Sequence, residues 1–396
     1  MAWHTVARHA AYRTTAGIAD LPSPWMARGP GHRRSQASRP VTSLEARLTA
    51  APRSRDVLAH NPGGGVNIDE LDMHRPALLA HCYRMLGSPF DAEDAVQDTL
   101  VKAMHAADGF EGRASAQTWL LRIATNVCID AIRQRGRRRE RPMVAAPGCP
   151  DGPLDTRPPE DWIEPVPDAW LGATPVDPHA AVEARETVRL AFVAALQHLP
   201  PRQRAAHLLM RVCDWSASDV ADALETSVAS VNSAAQRARA TLAKLETPTE
   251  PAASESTVPA PVAAERDAPA SDMGALDTVV DAYAKAFEAW DVEALAALLT
   301  DDVAFNMPPI ALWLRGPDAV RAFLRTTGAA CEGSRLVPIR ANGGPGFVQY
   351  KADGHAWGVV TLELQGGRIA GITTFLDVER VVPLFGAPLV LDACAE

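Results

Sequence analysis

The sequence predicts a multidomain chain in which two all-α blocks are followed by one α+β block. Apolar residues recur at helical spacing from about residue 67 to 141 and again from about 182 to 246. From residue 273 the pattern predicts two or three helices up to about residue 326. Alternating strands follow, such as 356–364 and 368–375 on either side of a Gln-Gly-Gly turn at 365–367. Stretches rich in proline and acidic residues separate the blocks, which is typical of linkers.

The composition narrows the class of protein. A chain of 396 residues is long enough for two or three domains, and its net charge of −9 argues against a protein that simply coats nucleic acid. The six cysteines include no C-x-x-C pair, so we expect neither a zinc site nor a disulfide framework. Cysteines without a disulfide framework are typical of the reducing cytoplasm, so we expect a cytoplasmic location. We also expect no cofactor. No apolar stretch reaches the ~18 residues that a membrane helix needs, so we expect no contact with a membrane.

The N-terminal residues 1–66 carry no interpretable pattern. They are rich in Arg, Ser, Pro and Ala and lack hydrophobic periodicity, which predicts disorder. A transit peptide and upstream sequence included by an early start codon share this composition, so whether these residues belong to the native protein stays open.

The first block begins with two predicted helices. An apolar stripe marks the first, and Gly87-Ser-Pro89 ends it. Asp91 is then the expected N-cap of the second helix, with acidic residues in its first turn. The polar side of this second helix carries Asp94, Gln97, Asp98 and Lys102.

A third helix in this block, from about residue 119, ends in a dense arginine cluster. Six arginines lie between Arg133 and Arg141, which exceeds what the negative end of one helix dipole needs. A polyanion is the natural partner of such a cluster, and the alternative is a solvated charged helix end.

The second block has helix-turn-helix character. A short helix at 218–224 is followed by a turn at 225–226 and a longer helix from about 227. Apolar positions three and four apart fix the expected buried side of the longer helix: Val228, Val231, Ala235, Ala238, Leu242 and Leu245. Outward-facing side chains could read base edges or phosphates, although an ordinary helical hairpin shows the same pattern. They are Asn232, Ser233, Gln236 and Arg237.

Together the two helical blocks resemble the extracytoplasmic-function (group IV) sigma factors of bacterial RNA polymerase. Residues 91–100 resemble the region 2.2 helix, which docks on the polymerase clamp, and 118–130 resemble regions 2.3 and 2.4, which melt and read the −10 element. The Leu-Pro-Pro-Arg-Gln-Arg stretch at 199–204 and the helix-turn-helix resemble region 4, which reads the −35 element. Some family members carry an aromatic residue in the loop where this chain has Ala116 and Gln117.

The resemblance assigns roles to the polar residues. It implies that Asp94, Gln97, Asp98 and Lys102 bind core polymerase, whose clamp and flap are the expected partner surfaces, and that Asn232, Ser233, Gln236 and Arg237 bind −35 DNA. It also implies a set of residues for −10 DNA: Arg113, Gln117, Trp119, Arg122, Asn126, Arg133 and Arg137.

The third block resembles the NTF2-like, SnoaL-type fold, which some sigma factors carry at the C-terminus. Residues 162–171 resemble the linker motif of such members, which implies a regulatory role for Trp162, Pro165, Pro167 and Trp170. SnoaL-type relatives include enzymes that use an Asp/His pair as acid and base. The candidates here are Asp301, Asp302, His355 and Asp377, although a solvated histidine is the alternative. Four large apolar residues could line a pocket or belong to the core: Met307, Trp313, Trp357 and Phe375.

The sequence therefore predicts a non-enzymatic sigma factor that binds core RNA polymerase and promoter DNA. We expect its acidic C-terminal block to pack on both helical blocks with 162–171 along the contact, and a small ligand or protein regulator is a possible further partner. The alternative is a DNA-tethered small-molecule-binding protein or enzyme of the SnoaL type. The expected boundaries are 1–66 (disordered extension), 67–141 (region 2), 142–181 (Pro-rich linker), 182–246 (region 4), 247–272 (flexible linker) and 273–396 (SnoaL/NTF2-like domain).

Overall fold

A computed structural model describes residues 71–107, 114–136, 139, 147–150, 154–172, 184–246 and 273–391. The predicted disordered extension and the second linker lie outside the described residues, and so do Arg113 and Arg137. The predicted domain boundaries therefore stay predictions.

The first block is a bundle of three helices: α1 (Arg75–Leu86), α2 (Pro89–Ala106) and α3 (Ala116–Arg135). The prediction that Asp91 caps α2 is wrong. Pro89 occupies the first helical position, so the helix starts earlier, and Ser88 is the N-cap, accepting the Asp91 N–H at 3.4 Å. The Asp91 carboxylate thereby remains available for arginine partners.

The second block contains α4 (Leu190–Gln197), α5 (Pro201–Arg211), α6 (Ala217–Ala223) and α7 (Val228–Glu246). A capping box between Ser216 and Asp219 starts α6, and Glu225, at φ 49, makes the turn into α7. The predicted helix-turn-helix is present. Two of the expected buried positions are wrong: Val228 and Leu245 are 43% and 45% exposed, because they lie in the first and last turns of α7, beyond its packed middle.

The C-terminal domain (273–391) places helices against a six-stranded sheet. The helices are α8 (Met273–Glu288), α9 (Val292–Ala297), α10 (Pro317–Arg325) and α11 (Val378–Val381). The strands are β1 (Leu299–Asn306), β2 (Trp313–Arg315), β3 (Arg335–Ala341), β4 (Gly344–Tyr350), β5 (Ala356–Gln365) and β6 (Arg368–Phe375). Their order is β2-β1-β6-β5-β4-β3, in which β1 and β6 are parallel and the other neighbours are antiparallel.

The predicted β5–β6 hairpin is confirmed, but the order of elements before it is only partly as expected. The sequence predicted helices alone up to about residue 326, whereas β1 and β2 precede α10. The pattern of buried and exposed residues in β1 explains why this strand was not predicted. Asp301 and Asp302 are both exposed side by side, so the strand shows no clean alternation of apolar and polar residues.

The two faces of the sheet belong to different apolar clusters. One face packs under α8, α9 and α10, whereas Val348, Tyr350, Val359 and Phe375 join the core formed by the two helical blocks and by Val166. One contiguous core therefore connects all three blocks, as a packed domain requires. No helix in the described ranges is both long and apolar enough to cross a membrane.

Candidate functional site

The exposed side of α2 is the first candidate surface. The predicted residues Asp94, Gln97, Asp98 and Lys102 are all exposed, on the opposite side from buried Ala103. Partial burial, followed by the negative charges of Asp91, Asp98 and Glu93, raises the pKa of the Asp94 carboxyl. The four residues thus form one exposed polar face of α2.

Sequence reasoning missed two apolar members of this face. Val101 and Met104 are 51% and 48% exposed and lie beside Asp98 and Lys102 on α2. The available signal was a pair of large apolar residues outside the buried stripe of the helix. Exposed apolar side chains rimmed by charges are typical of a protein-binding surface.

The second candidate surface is α3. Gln117, Arg122, Asn126 and Arg133 are exposed and Trp119 is half-buried, so the described members of the predicted −10 set lie on one helix. Arg133 pairs with Asp130 at 3.5 Å. Both side chains are more than half exposed, so the Arg133 guanidinium remains accessible. The Asn126 amide donates to the Ala223 carbonyl at the end of α6, at 3.3 Å, so the second block borders this face.

Part of the arginine cluster has a structural role that the sequence did not reveal. Arg139 is 2% exposed, and it donates to the Asp91 carboxylate at 2.8 Å and to the Trp162 carbonyl at 2.7 Å. Arg135 pairs with the same carboxylate. In this arrangement both arginines pair with carboxylates of the same chain: Arg135 with Asp91, and Arg139 with Asp91 and Glu164.

The third candidate surface is α7. Asn232, Gln236 and Arg237 are exposed and Ser233 is half-buried, while the opposite side of the helix is buried. The Arg237 Nη1 donates to the Ser233 Oγ at 2.6 Å, which orients the guanidinium along the helix. This face presents amide and guanidinium groups of the kind that contact base edges and phosphates.

A buried junction lies between the blocks, in the linker segment (154–172). Residues 161–167 are all buried, and Glu164 is 4% exposed. Its carboxylate pairs with Arg380 of the C-terminal domain at 2.7 Å, lies 3.4 Å from Arg139, and accepts from the Ser88 hydroxyl. Its carbonyl accepts from the Tyr83 hydroxyl at 2.8 Å. Glu164 thus connects the first block to the C-terminal domain.

The predicted linker residues lie along this junction. Trp162 is 2% exposed, with the Arg157 guanidinium 4.8 Å above its ring. Pro165 and Pro167 are buried, Pro167 bridges to Ala341 of β3, and Trp170 is half-buried. A short segment with many contacts therefore forms part of the predicted Pro-rich linker.

The C-terminal domain encloses a small cavity of about 40 Å³ beneath its sheet. This volume suits a few water molecules. The residues with polar side-chain groups on its wall are Tyr283, Cys331, Gln349, Trp357 and Thr374. Burial raises the pKa of both the Cys331 thiol and the Tyr283 hydroxyl, so both stay protonated at neutral pH.

The suggested acid–base residues lie elsewhere in the domain. Asp301, Asp302 and His355 are exposed, His355 pairs with Asp353 at 3.3 Å, and Asp377 stands at the N-cap of α11. None of the four lines the cavity, whereas Met307 and Trp357 do. Trp313 is buried outside the cavity wall, and Phe375 faces the helical blocks. Within the described ranges, no three His, Cys, Asp or Glu side chains are grouped closely enough to hold a metal ion.

Comparison with known proteins identifies the family. Models of sigma-70 region 2, sigma-70 region 4 and the SnoaL-like domain match residues 71–138, 189–242 and 280–375. The chain is 41% identical over 321 residues to the extracytoplasmic-function RNA polymerase sigma factor SigG of Mycobacterium tuberculosis, covering 80% of this chain and 82% of SigG. The chain belongs to the extracytoplasmic-function sigma factors. The predicted family and its sigma-factor function are thereby confirmed.

A second member of this sigma-factor family supports the fold. SigJ of M. tuberculosis is 27% identical over 266 residues, covering 65% of this chain and 72% of SigJ. Its crystal structure superimposes with a TM-score of 0.52 at 22% identity, over 82% of this chain and 100% of that one. The predicted fold class is confirmed. Below, the first block is called region 2 and the second block region 4.

Proposed function

We propose that this sigma factor works in the cytoplasm and binds core polymerase through the exposed face of α2 on the clamp and through region 4 on the flap. It reads the −10 element with α3 and the −35 element with α7. Its C-terminal domain holds regions 2 and 4 in a closed arrangement that must open for transcription. The main observation behind this proposal is the buried Glu164 carboxylate, which pairs with both Arg139 of region 2 and Arg380 of the C-terminal domain.

The distance between the two promoter elements supports the proposal that the closed arrangement must open for promoter binding. Elements at −10 and −35 are separated by about 25 base pairs, or roughly 85 Å along B-DNA. In this arrangement Asn126 of α3 lies 3.3 Å from the Ala223 carbonyl of the helix-turn-helix. One closed molecule cannot place α3 and α7 on both elements at once.

The energetics of the junction favour the closed arrangement of the free protein. Removing one partner of a buried ion pair typically costs about 3–5 kcal/mol, because the other charge stays buried without compensation. Separation of the blocks hydrates Glu164, Arg139 and Arg380 instead, so this cost does not arise on opening. Opening also exposes the apolar core around Val166, and this loss of apolar burial is what favours the closed arrangement. Polymerase contacts made only by the open form supply the compensating free energy.

Substitution of Arg380 by Gln tests the restraint. Arg380→Gln removes the ion pair of the C-terminal domain with Glu164 and leaves Arg139 and Ser88 in place. The matched control is Arg368→Gln, because Arg368 is a half-exposed arginine of the same domain, 3.9 Å from Asp301. We expect higher multi-round transcription from a cognate promoter with Arg380→Gln than with the control. Equal transcription by two folded variants would contradict the restraint.

The chemistry of the cavity supports a non-catalytic C-terminal domain. Its described wall contains no carboxylate and no imidazole, so general acid–base catalysis has no group there with a suitable pKa. We propose that the domain acts through packing. Turnover of a small molecule that is lost on Cys331→Ala or Gln349→Ala would instead favour the SnoaL-type enzyme.

A further inference from the structure

The β3–β4 turn of the C-terminal domain enters the junction between the other blocks. It consists of Asn342 and Gly343, whose φ values of 54 and 72 are left-handed. Two left-handed residues in the sequence Asn-Gly make the tight turn that suits the twist of a hairpin. Asn342 is only 4% exposed, although the tip of a surface hairpin is normally solvated. The turn is therefore covered by the rest of the molecule.

The Asn342 carboxamide bonds to three parts of the chain. Its Nδ2 donates to the Tyr83 hydroxyl of region 2 at 2.6 Å and to the Val188 carbonyl of region 4, just before α4, at 2.9 Å. Its Oδ1 accepts from the Val166 N–H of the linker segment at 3.1 Å. The backbone N–H of Asn342 donates to the Val166 carbonyl at 3.0 Å. Both polar atoms of this buried amide are thus satisfied by partners outside its own domain.

Gly343 completes the fit of the turn. Its N–H donates to the Asp168 carboxylate at 2.7 Å. A Cβ at this position would lie 2.8 Å from the Arg185 carbonyl oxygen and 3.0 Å from the Arg185 Cα. These atoms belong to the backbone, so they cannot move aside as a flexible side chain would. The region 4 backbone just before α4 therefore lies directly against the turn.

We propose that the Asn342–Gly343 turn is a latch, and that its receptor is the surface formed by Tyr83, Val166, Asp168, Arg185 and Val188. The turn contacts region 2, the linker segment and the part of region 4 just before α4. Releasing the turn therefore frees all three from the C-terminal domain together. The regulatory meaning of the latch rests on the proposed function, whereas its structural role does not.

Two variants open the latch by different means, and one serves as a matched control. Gly343→Ala introduces the clash with Arg185. Asn342→Gly removes the carboxamide but keeps a turn that accepts φ > 0. The control is Gly367→Ala in the β5–β6 turn, where φ is 73 and an added Cβ would meet nothing within 4 Å. Gly343→Ala and Gly367→Ala therefore share the backbone strain and differ in the clash.

The readouts are the radius of gyration from small-angle X-ray scattering and the hydrogen-exchange rate of the Val166 amide. We expect Gly343→Ala and Asn342→Gly to enlarge the radius and to raise the exchange rate at least tenfold, with Gly367→Ala close to wild type. If Gly343→Ala does not fold, Asn342→Gly still gives the result. Wild-type radius and exchange in folded Asn342→Gly would overturn the latch.

Transcription by the same variants separates the latch from the proposed restraint. An open Asn342→Gly protein that transcribes more than wild type supports both. An open protein with unchanged transcription supports the latch and contradicts the restraint by the C-terminal domain.

Discussion

Asn126 of α3 donates a hydrogen bond to the Ala223 carbonyl oxygen at the end of α6, with a nitrogen–oxygen distance of 3.3 Å. This contact joins the predicted −10-reading helix directly to the helix-turn-helix. The Asn126 amide also donates to the Arg122 carbonyl at 3.2 Å. A base that accepts a hydrogen bond from the Asn126 amide nitrogen therefore competes with the Ala223 carbonyl of region 4. By contrast, Asn232, Gln236 and Arg237 of α7 remain exposed in the closed arrangement.

The α2 face provides a prediction about polymerase binding. Asp98→Arg and Val101→Asp each change an exposed residue, so we expect a stability change of no more than about 0.5 kcal/mol. We expect both to weaken association with core polymerase at least tenfold, because they alter charge and apolar contact at the proposed docking surface. Affinity is measured by fluorescence anisotropy with labelled sigma factor. Asp281→Arg, on an exposed position of α8, is the control, and undiminished binding by Asp98→Arg would refute the assignment of this face.

The α7 face provides a prediction about promoter recognition. Asn232→Ala removes a group that can contact a base edge, so it should relax sequence preference by about 1–3 kcal/mol. Arg237→Ala removes a cation, so it should weaken binding to all duplexes and lower the salt dependence. Salt titrations on matched and mismatched −35 duplexes distinguish the two effects. No change on either duplex with either variant would mean that the recognition helix lies elsewhere.

A buried histidine in region 2 predicts a pH dependence of stability. Burial, followed by the charge of Arg84, lowers the pKa of His81 from 6.5 to about 3, and its Nε2 lies 2.9 Å from the Thr125 Oγ1. Below pH 6.5 the unfolded chain binds a proton that the folded chain does not. The stability contributed by neutral His81 is therefore present above pH 6.5 and is lost as the pH falls towards 3, by up to about 1.4 kcal/mol per pH unit.

Urea unfolding at pH 7 and pH 5 measures this slope. His81→Leu removes the titrating group, so we expect a smaller loss of stability between the two pH values than in wild type. Replacement of exposed His105 by Gln is the control and should keep the wild-type slope. His207, whose pKa is lowered by burial and then by Arg211 and Arg239, adds a loss in the same direction in every variant. A His81→Leu slope equal to that of wild type would contradict the buried, neutral state of His81.

Local pattern was enough to predict the helices and their exposed faces. The spacing of apolar residues in α2, α3 and α7 identified which side of each helix is buried, because that periodicity is a property of neighbouring residues. The spacing rule gave a wrong prediction for Val228 and Leu245, because the first and last turns of α7 extend beyond the residues that pack against the helix. It also failed at β1, where two adjacent aspartates interrupt the alternation.

The junction could not be predicted in the same way, because its partners are far apart in the sequence. Arg380 pairs with Glu164 across 216 residues, and Asn342 bonds to Tyr83 across 259. In the sequence, Arg139 is one of six similar arginines. Its burial and its ion pairs with Asp91 and Glu164 give it a structural role that the sequence does not distinguish. The motif at 162–171 indicated that this segment lies along the contact, but it did not indicate its partners. The Asn-Gly pair at 342–343 indicates a turn without indicating what the turn binds.

The closed-to-open change on polymerase binding is tested most directly by energy transfer between region 2 and the C-terminal domain. Dyes are placed at Gln134→Cys and Glu379→Cys, with Cys149 replaced by Ser. Both positions are exposed, and they lie next in sequence to Arg135 and Arg380. We expect high transfer efficiency in the free protein and a clear fall when core polymerase is added. Unchanged efficiency in a transcriptionally active holoenzyme would show that the closed arrangement persists, and it would contradict the account.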